Sequence, residues 1–539
     1  MLLAGLINTM NDSFGIELRQ GQSVVANERW WARDLTVSPA ALLAAIGLLA
    51  AALRFALLDH HSFWFDEAYV YRVTRASWPG LFVQLRVQDA HPPLYYMLMK
   101  LWVRLAGDSE VAMRAPSVFF SVATVGLTYM LARRLAAVRV ALLAALIAAV
   151  SPFAIMSGQE ARMYPLLGML TLLSTLSLLA CVERGGALRW AGYVFVTAAM
   201  AYTHYFGIVA IGAQGLWVIC FERRRLTRWL LAVALILLLY VPWLPSFWAQ
   251  AANGHGWAWY RAPIGIGALG DLLGLYAFGG SLLGMGNYFG LGSLPPIEQL
   301  ILLLPFLTIL WWGAVALGSR KRSLALVGFP FALPIVLLFM FSLLKPMFYP
   351  RWFSFLAPLY AIVLAAGIFE LAERFRGRLD RIVAFMVVGL LAYSVLPLAR
   401  YYLDPNAWPY DWRDTAEFVQ AHAKKGDFFL YTGPAAEYSF TYYFRDPHPS
   451  LTLQPTEALS QPHPHPTFTP ASVQRLSKQY PRMWVIVTVP FTPAMQARLE
   501  KDLNTAYVPV EGRTSGYISA LLIGAKTPAA RGKQTEAPR

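Results

Sequence analysis

Residues 39–72 read PAALLAAIGLLAAALRFALLDHHSFWFDEAYVYR, and this stretch decides the kind of fold to expect. Its first part, residues 39–58, is apolar over about 20 residues, the length that one helix needs to cross a membrane. Asp66 and Glu67 follow among aromatic residues near Trp64, which predicts an amphipathic helix at the membrane interface. Neighbouring helical residues point about 100° apart, so the two carboxylates cannot address one atom equally. Taken alone, the stretch fits two solvated acids as well as a functional site.

The whole chain has the composition of a polytopic membrane protein. Of its 539 residues, 57% are hydrophobic and 14% are charged, whereas soluble domains carry about 25% charged residues. The net charge of +15 fits the basic loops of a membrane protein, and no basic-aromatic nucleic-acid module accompanies it. Cys181 and Cys220 offer neither a disulfide framework nor the ligand spacing of a metal site.

Apolar runs of membrane-spanning length recur along the chain and predict a polytopic α-helical protein with about eleven spans. The runs are residues 39–58, 114–132, 138–157, 165–182, 188–203, 205–222, 227–248, 297–318, 323–344, 352–371 and 381–399. The boundary between 188–203 and 205–222 is the weakest, because only a short polar break at Thr203-His204 separates the two runs.

Basic residues in five alternate short connections set the predicted orientation, because positive loops stay in the cytoplasm. These residues are Arg133/Arg134/Arg139, Arg184/Arg189, Arg223/Arg224/Arg225/Arg228, Arg320/Lys321/Arg322 and Arg374/Arg376/Arg378/Arg381. Residues 1–38 are then a cytoplasmic tail and 39–400 the transmembrane domain of a multi-pass inner or plasma membrane protein. The connections near 59–113, 157–165, 249–296 and 345–351 face outward, as does everything after about residue 400.

The C-terminal part reads as a small soluble α/β domain over residues 401–525. DWRDTAEFVQAHAKKGDFFLYTG predicts a helix, a glycine turn and a strand, and MWVIVTV and GYISALLIGA predict two further strands. TPAMQARLEKDL predicts a second helix. In the Pro-rich QPHPHPTFTP, His463 and His465 are more simply loop residues than metal ligands, and residues 526–539 have a disordered composition.

Several outer connections carry groups suited to chemistry. Asp89-Ala-His91-Pro-Pro places an acid and a histidine in an extended segment, which is either a polar turn or part of a cation site. Arg114 near the start of a span is expected to snorkel to the surface. The glycine-rich and aromatic loop 249–296 is too long for a plain connection and is predicted to be functional or mobile. Its His255 is more simply a loop residue than a ligand.

Cations also occur on the outer side, against the bias of the other short loops. Glu160 and Arg162 form either a weak local ion pair or a place where a cation meets a phosphate. Lys345 and Arg351, in KPMFYPR, either snorkel to lipid headgroups or bind an anionic ligand at the membrane surface.

Seven motifs in order resemble the GT-C superfamily of polyprenyl-phosphate-sugar-dependent glycosyltransferases. Among them the chain is most similar to family 39, the protein-mannosyltransferase-like and aminoarabinose-transferase-like enzymes. The resemblance covers residues of about 39–430. The motifs are FDEAYVYR, DAHPPLYYML, SEVAMRAPS, SPFAIMSGQEARMY, AYTHYFG, KPMFYPRWFSFLAP and DWRDTAEFV.

The resemblance implies a GT-C fold, with interfacial helices in the first outer loop, and an assignment of site residues. Asp66 matches the catalytic base, with Glu67 beside it, and Asp89 and His91 match the second acidic motif near the acceptor. Contacts to the lipid-linked phosphate are implied for Arg162, Lys345 and Arg351, with Tyr164 and Tyr349 as accessory groups. A divalent cation at Asp89 and His91 is left open, since family members differ in metal use, and no nucleotide cofactor is implied.

The function expected is inverting transfer of a sugar from a polyprenyl-phosphate carrier to a hydroxyl of an extracytoplasmic glycan, lipid or protein. A base near the nucleophile and cations near the departing phosphate suit that reaction. A lipid-linked glycan polymerase or ligase is the main alternative, although the Trp-Trp-Asp-Tyr-Gly signature of oligosaccharyltransferases is absent from the sequence. A lipid or glycolipid transporter fits less well, because the acids cluster in outer loops rather than within spans.

Overall fold

The structure, a computed structural model, describes residues 37–253, 265, 267–279, 296–345, 347–374, 379–404, 408–453, 470–488 and 493–526. Several predictions fall on other residues and lie outside the described ones. They concern the cytoplasmic tail, most of loop 249–296 with His255, the Pro-rich segment with His463 and His465, and the C-terminal tail.

The chain divides into two compact units, each formed from more than one segment. The first, called the helical unit, comprises Met1–Leu58, Phe82–Gly107 and Ala112–Leu403. The second, called the sheet unit, comprises Asp59–Leu81, Asp108–Val111 and Asp404–Arg539. Two pieces of the predicted first outer loop, including the segment with Asp66 and Glu67, are therefore part of the same unit as the C-terminal domain. The sequence alone did not predict this association.

Helices form nearly all of the chain before the C-terminal domain. They are α1 Pro39–Phe55, α2 Phe65–Arg75, α3 Trp78–Gln88, α4 Leu94–Ala106, α5 Glu110–Leu135, α6 Val138–Val150, α7 Pro152–Gly158, α8 Tyr164–Arg184, α9 Ala187–Thr203, α10 Phe206–Phe221, α11 Leu226–Tyr240, α12 Leu244–Asn253, α13 Gly267–Phe278, α14 Pro296–Gly318, α15 Lys321–Leu344, α16 Ala357–Arg374 and α17 Leu379–Leu403. Short 3-10 turns precede α11, α12 and α16.

Each predicted span coincides with one helix or two consecutive helices, but the predicted count of eleven spans is not confirmed. Within the described residues, 7 helical stretches are long and apolar enough to cross a membrane, or 8 if α6 and α7 form one span. These two helices meet at a 56° bend, where Pro152 cannot continue the hydrogen-bond ladder of α6. Helices α1 and α10 are apolar but shorter, with 17 and 16 residues. Hydropathy therefore locates the apolar helices without deciding which of them span.

Two arginines of the apolar part are buried and bonded to backbone carbonyls. Arg54, in α1, donates to the carbonyls of Ala148 and Ala149 over 2.9 and 2.8 Å, at the end of α6 where carbonyls lack helical donors. Arg114 is also buried and donates to the Leu58 carbonyl over 2.7 Å. The expectation that Arg114 snorkels to the surface is therefore wrong, because its guanidinium has an internal acceptor.

A five-stranded mixed sheet forms the core of the sheet unit, with strand order β2-β1-β3-β5-β4. Strands β1 and β2 are parallel, as are β1 and β3, whereas β5 runs antiparallel to β3 and β4. The C-terminal elements are α18 Trp412–His422, β1 Phe428–Tyr431, α19 Pro434–Tyr443, β2 Ser450–Thr452, α20 Pro470–Gln479, β3 Arg482–Thr488, α21 Pro493–Leu503, β4 Tyr507–Ser515 and β5 Ile518–Ala525. The small α/β fold, the three predicted strands and both predicted helices are confirmed, and β2 and β4 were not predicted.

Alternation along the strands explains why the sheet is covered on both faces. In β1, Phe429 and Tyr431 pack with α18 and α19 on one face, and Phe428 and Leu430 pack with α20 and α21 on the other. Successive strand residues point to opposite faces, so a strand that is apolar throughout needs a layer on each side. Helix α19 is thereby fixed against the sheet.

Candidate functional site

The predicted site residues are divided between the two units. Asp66 and Glu67 belong to the sheet unit, and the remaining predicted site residues, Asp89, His91, Arg162, Tyr164, Lys345, Tyr349 and Arg351, belong to the helical unit. The two groups are described separately.

Asp66 and Glu67 lie in the first turn of α2, where the helix dipole favours carboxylates. The predicted helix is thus present, and it directs the two side chains to different environments. Glu67 is 0% exposed, whereas Asp66 is partly exposed. Of the two carboxylates, only Asp66 is open to a ligand without a movement of the helix.

Aromatic residues around this pair contact the C-terminal domain. Phe63 lies 4.5 Å from Tyr442 between ring centroids, and Phe65 stacks on Tyr438 at 6.0 Å. The prediction that these aromatics seat α2 at the membrane interface stays a prediction. The structure adds that Phe63 and Phe65 pack on the aromatic rings of α19.

Asp89 and His91 form a close pair in the extended segment before α4. His91 Nδ1 lies 2.6 Å from Asp89 Oδ1, and the Ala90 N–H donates to the same oxygen over 2.7 Å. Burial raises the pKa of Asp89, but His91, Arg162 and a hydrogen bond from Tyr96 outweigh it and hold this pKa below its ordinary value. Asp89 is thus a buried carboxylate that keeps its charge.

A side chain from α12 holds this segment in place. Gln250 is buried, and its Nε2 donates to the carbonyls of Leu85 and His91 over 2.7 and 3.2 Å. Sequence reasoning missed Gln250, because nothing in its surroundings distinguishes it from a polar residue near the end of an apolar run.

Two buried arginines lie around Tyr164, which begins α8. The carbon Cζ of Arg162 is 5.9 Å from the Tyr164 ring centroid, and that of Arg351, from the 3-10 turn Pro350–Leu356, is 6.0 Å away. Arg162 and Arg351 are 4% and 2% exposed. Snorkelling of Arg351 to headgroups is therefore wrong, since its guanidinium is held inside the protein.

Arg351 has an acidic partner that the sequence assigned to Arg162. Its Nη1 lies 3.6 Å from Glu160 Oε2, and both side chains are buried. Arg162 donates its backbone N–H to the Glu160 carbonyl over 2.8 Å. Tertiary packing therefore brings the distant Arg351 to the same acid, which the sequence considered only with Arg162.

Lys345 and Tyr349 take different positions near this cluster. Tyr349 is half-buried, with its ring centroid 5.1 Å from Cζ of Arg351. Lys345 follows the last residue of α15 and is exposed. The pair predicted to act together, Lys345 and Arg351, thus combines an exposed cation with a buried one.

His204 joins the cluster, although it was not among the predicted site residues. It lies between α9 and α10, with its ring centroid 5.1 Å from His91 and 5.8 Å from Tyr164. The Phe206 N–H donates to its Nδ1 over 3.1 Å. Burial, then His91 and Arg162, hold the pKa of His204 well below its ordinary value. The sequence feature that could have identified His204 is the polar break inside AYTHYFG, between two apolar runs.

The residues predicted for a divalent cation do not fit one. Asp89 Oδ1 lies 2.6 Å from His91 Nδ1, so these two atoms are paired with each other and only two candidate ligands come from this segment. Among the residues that the structure describes, no group of three His, Cys, Asp or Glu side chains has the arrangement of a metal site. We therefore derive no step through a metal.

Comparison with known proteins gives one family match by sequence. Residues 90–246 match the family of dolichyl-phosphate-mannose-protein mannosyltransferases. This segment begins one residue after Asp89 and contains His91, Arg162, Tyr164 and His204. A search of the curated proteins found no match.

Solved structures of similar fold span almost the whole chain. ArnT from Cupriavidus metallidurans, bound to undecaprenyl phosphate, has a TM-score of 0.56 at 14% identity and covers 93% of this chain and 98% of its own. The Archaeoglobus fulgidus oligosaccharyltransferase in complex with Zn and sulfate has a TM-score of 0.54 at 11% identity. The match covers 88% of this chain and 72% of the oligosaccharyltransferase. The mycobacterial arabinofuranosyltransferase AftD has a TM-score of 0.51 at 14% identity. The match covers 91% of this chain and 40% of AftD.

These matches confirm the resemblance to the GT-C superfamily that the seven motifs carry. The chain has the GT-C fold, and its apolar helices make it a multi-pass membrane protein.

Proposed function

We propose that this protein is an inverting glycosyltransferase that moves a sugar from a polyprenyl-phosphate carrier to a hydroxyl of an extracytoplasmic acceptor. The observation that carries the proposal is that Arg162 and Arg351 are both buried and that each has its Cζ within 6.0 Å of the Tyr164 ring centroid. A buried cation pair at a loop between apolar helices suits the headgroup of a phospholipid-borne donor. The similar fold of ArnT, which was solved with undecaprenyl phosphate, supports the same ligand class.

The phosphate end of the donor would be bound by charge and by directed hydrogen bonds. Guanidinium groups bind phosphate oxygens through two parallel N–H donors, and the low dielectric of a buried site strengthens that attraction. His204 adds a neutral donor, because its Nδ1 accepts the Phe206 N–H and the ring proton is then on Nε2. The exposed Lys345 would attract the anionic headgroup as a point charge, with Tyr349 beside Arg351.

Asp66 serves as the general base in this proposal. The acceptor oxygen attacks C1 of the sugar and forms the new glycosidic bond, while the bond from C1 to the phosphate oxygen breaks. The hydroxyl proton passes to the Asp66 carboxylate, and the electron pair leaves with the polyprenyl phosphate. One displacement inverts the anomeric carbon, so no covalent carboxylate intermediate is needed. The partial exposure of Asp66 and the burial of Glu67 favour Asp66 as the base.

Transfer of a whole lipid-linked glycan is the second candidate, as in a polymerase or ligase. It is favoured by the fold match with the archaeal oligosaccharyltransferase, another structure of which was solved with a tethered acceptor peptide. The mass added to the acceptor separates the two candidates. A lipid or glycolipid transporter would add no mass.

Mass spectrometry of envelope glycans, glycolipids and glycoproteins, with and without the gene, tests the proposal. We expect one acceptor to lose a single sugar mass in the deletion strain, and the wild-type gene to restore it. Asp66→Asn should lower product formation by about 10²- to 10⁴-fold, the contribution typical of a general base. Glu417→Gln, on the exposed side of α18, is the matched control and should restore the product. Full restoration by Asp66→Asn would rule out Asp66 as the base.

A further inference from the structure

Asp66 and Glu67 are adjacent, so the rotation of α2 about its axis decides which of the two carboxylates points in a given direction. One residue corresponds to about 100° of rotation, so turning the helix by one position would bring Glu67 to where Asp66 now points. Helix α2 has only 11 residues, and a helix this short depends on tertiary packing. Its own sequence does not fix its rotation about the helix axis. The contacts that fix the rotation of α2 therefore choose between the carboxylates.

Tyr438 of α19 contacts one face of α2 from Phe65 to Arg72. Its ring centroid lies 6.0 Å from that of Phe65 and 6.3 Å from that of Tyr69, and Cζ of Arg72 is 4.2 Å from the ring centroid. Phe65, Tyr69 and Arg72 have the spacing i, i+4 and i+7, which is a single helix face. One buried ring thus engages about two turns of α2 and opposes its rotation.

A polar chain connects the same face to the central sheet. Arg72 Nη1 lies 3.3 Å from Glu437 Oε1, and Glu437 Oε2 accepts a hydrogen bond from Thr452 Oγ1 of β2 over 2.8 Å. The ion pair is partly exposed and contributes little to stability. Its geometric effect is to tie the C-terminal half of α2 to a strand.

The N-terminal end of α2 is also held by the C-terminal domain. The Phe63 N–H donates to Tyr443 Oη over 2.6 Å. Ser62 Oγ accepts the Trp412 N–H over 3.0 Å, and its backbone carbonyl accepts from Trp408 Nε1 over 3.1 Å. The residues that enter α2 are thus anchored just before Asp66.

We propose that α19 sets the rotation of α2, and thereby selects Asp66 rather than Glu67 as the base, with Tyr438 as the main positioning residue. This inference rests on the proposed function, since it presumes that a carboxylate of α2 acts as the base. It gives the C-terminal domain a defined part in the reaction, because that domain orients the catalytic helix without contacting the reacting atoms.

Tyr438→Ala and Tyr438→Phe form the matched test pair, since phenylalanine keeps the ring that contacts α2. Each variant is measured in the full chain for product formation by mass spectrometry, normalised to protein level, and for binding of undecaprenyl phosphate. We expect Tyr438→Ala to lower the turnover by about 10- to 100-fold, the loss typical of a misplaced catalytic group. Affinity for undecaprenyl phosphate should stay within about twofold of wild type, and Tyr438→Phe should behave as wild type.

Glu437→Gln provides a second variant in case Tyr438→Ala does not fold, since an exposed ion pair can be removed with little change in stability. It should lower turnover in the same direction with an unchanged melting temperature. Combining each change with Glu67→Gln gives a double-mutant cycle. If α2 can rotate, Glu67→Gln should cost more in the Glu437→Gln or Tyr438→Ala background than alone.

The outcomes separate this inference from the proposed function. Loss of product in Asp66→Asn together with wild-type turnover in folded Tyr438→Ala and Glu437→Gln would overturn only the role of α19. Wild-type product in Asp66→Asn would instead overturn the base assignment. Equal losses of turnover and of undecaprenyl phosphate binding in Glu437→Gln would identify a general structural defect, and would also refute the positioning role.

Discussion

Arg351 has two possible contributions, to stability and to phosphate binding, and Glu160 allows them to be separated. Arg351→Met removes a buried cation 3.6 Å from the Glu160 carboxylate. At that distance, with an effective dielectric constant of about 20, the attraction is about 4–5 kcal/mol. Breaking a buried pair by removing one partner typically costs about 3–5 kcal/mol. The single variant should therefore melt several degrees lower and also bind the ligand weakly.

The double variant Glu160→Gln/Arg351→Met removes both charges at once. Replacing a buried pair by neutral groups of similar volume is often close to neutral for stability, so most of the lost melting temperature should return. The phosphate contact should not return, because the guanidinium is still absent. Loss of a charge-assisted contact of about 2 kcal/mol corresponds to about a 30-fold weaker affinity.

Glu160→Gln alone should have the opposite effect on the affinity for undecaprenyl phosphate. Glu160 competes with a phosphate for Arg351, so its neutral analogue should bind undecaprenyl phosphate more tightly than wild type. The assays are thermal melting in detergent and titration with undecaprenyl phosphate. If the double variant recovers both the melting temperature and wild-type affinity, Arg351 has only a structural role and the assigned phosphate site is wrong.

Two further predictions concern buried groups of the helical unit. Because the pKa of His204 is held well below its ordinary value of about 6.5, only the unfolded chain takes up this proton just below pH 6.5. Stability is therefore intact above about pH 6.5 and falls below it, by roughly 1 kcal/mol over the first pH unit. His204→Gln should lose less on the same acidification. Equal pH dependence of the two melting temperatures would contradict this. Arg54→Met should lower the unfolding free energy by about 2–5 kcal/mol, because the Ala148 and Ala149 carbonyls lose their donors. An unchanged melting temperature of this variant would contradict the prediction.

The sequence predicted those parts of the fold that depend on local patterns. Long apolar runs identified the helices of the helical unit, and short apolar runs between helices identified β1, β3 and β5. The short strand β2 and the polar, exposed β4 were missed, because neither has an apolar pattern of its own. The number of spans could not be predicted, because bends such as that at Pro152 depend on packing.

The candidate site was predicted only in part. His91, Arg162 and Arg351 were identified from residue type and from their predicted outward position, and in the structure Arg162 and Arg351 are buried while His91 is partly exposed. His204 and Gln250 were missed because their importance lies in what they contact. The contact between Arg351 and Glu160 was not predicted, since the two residues are nearly 200 positions apart in the chain and meet only through tertiary packing.

The sequence by itself determined that this chain is a polytopic membrane protein with acids and cations in its predicted outer loops, because hydropathy and charge are properties of short segments. Only the tertiary structure decided that the FWFDEAYVYR segment packs on α19, that Glu67 is buried while Asp66 is partly exposed, and that Glu160 neutralises Arg351. The physical reason is the same in each case. Burial, helix rotation and the pairing of charges depend on which distant surface a segment meets, and local composition does not specify that surface.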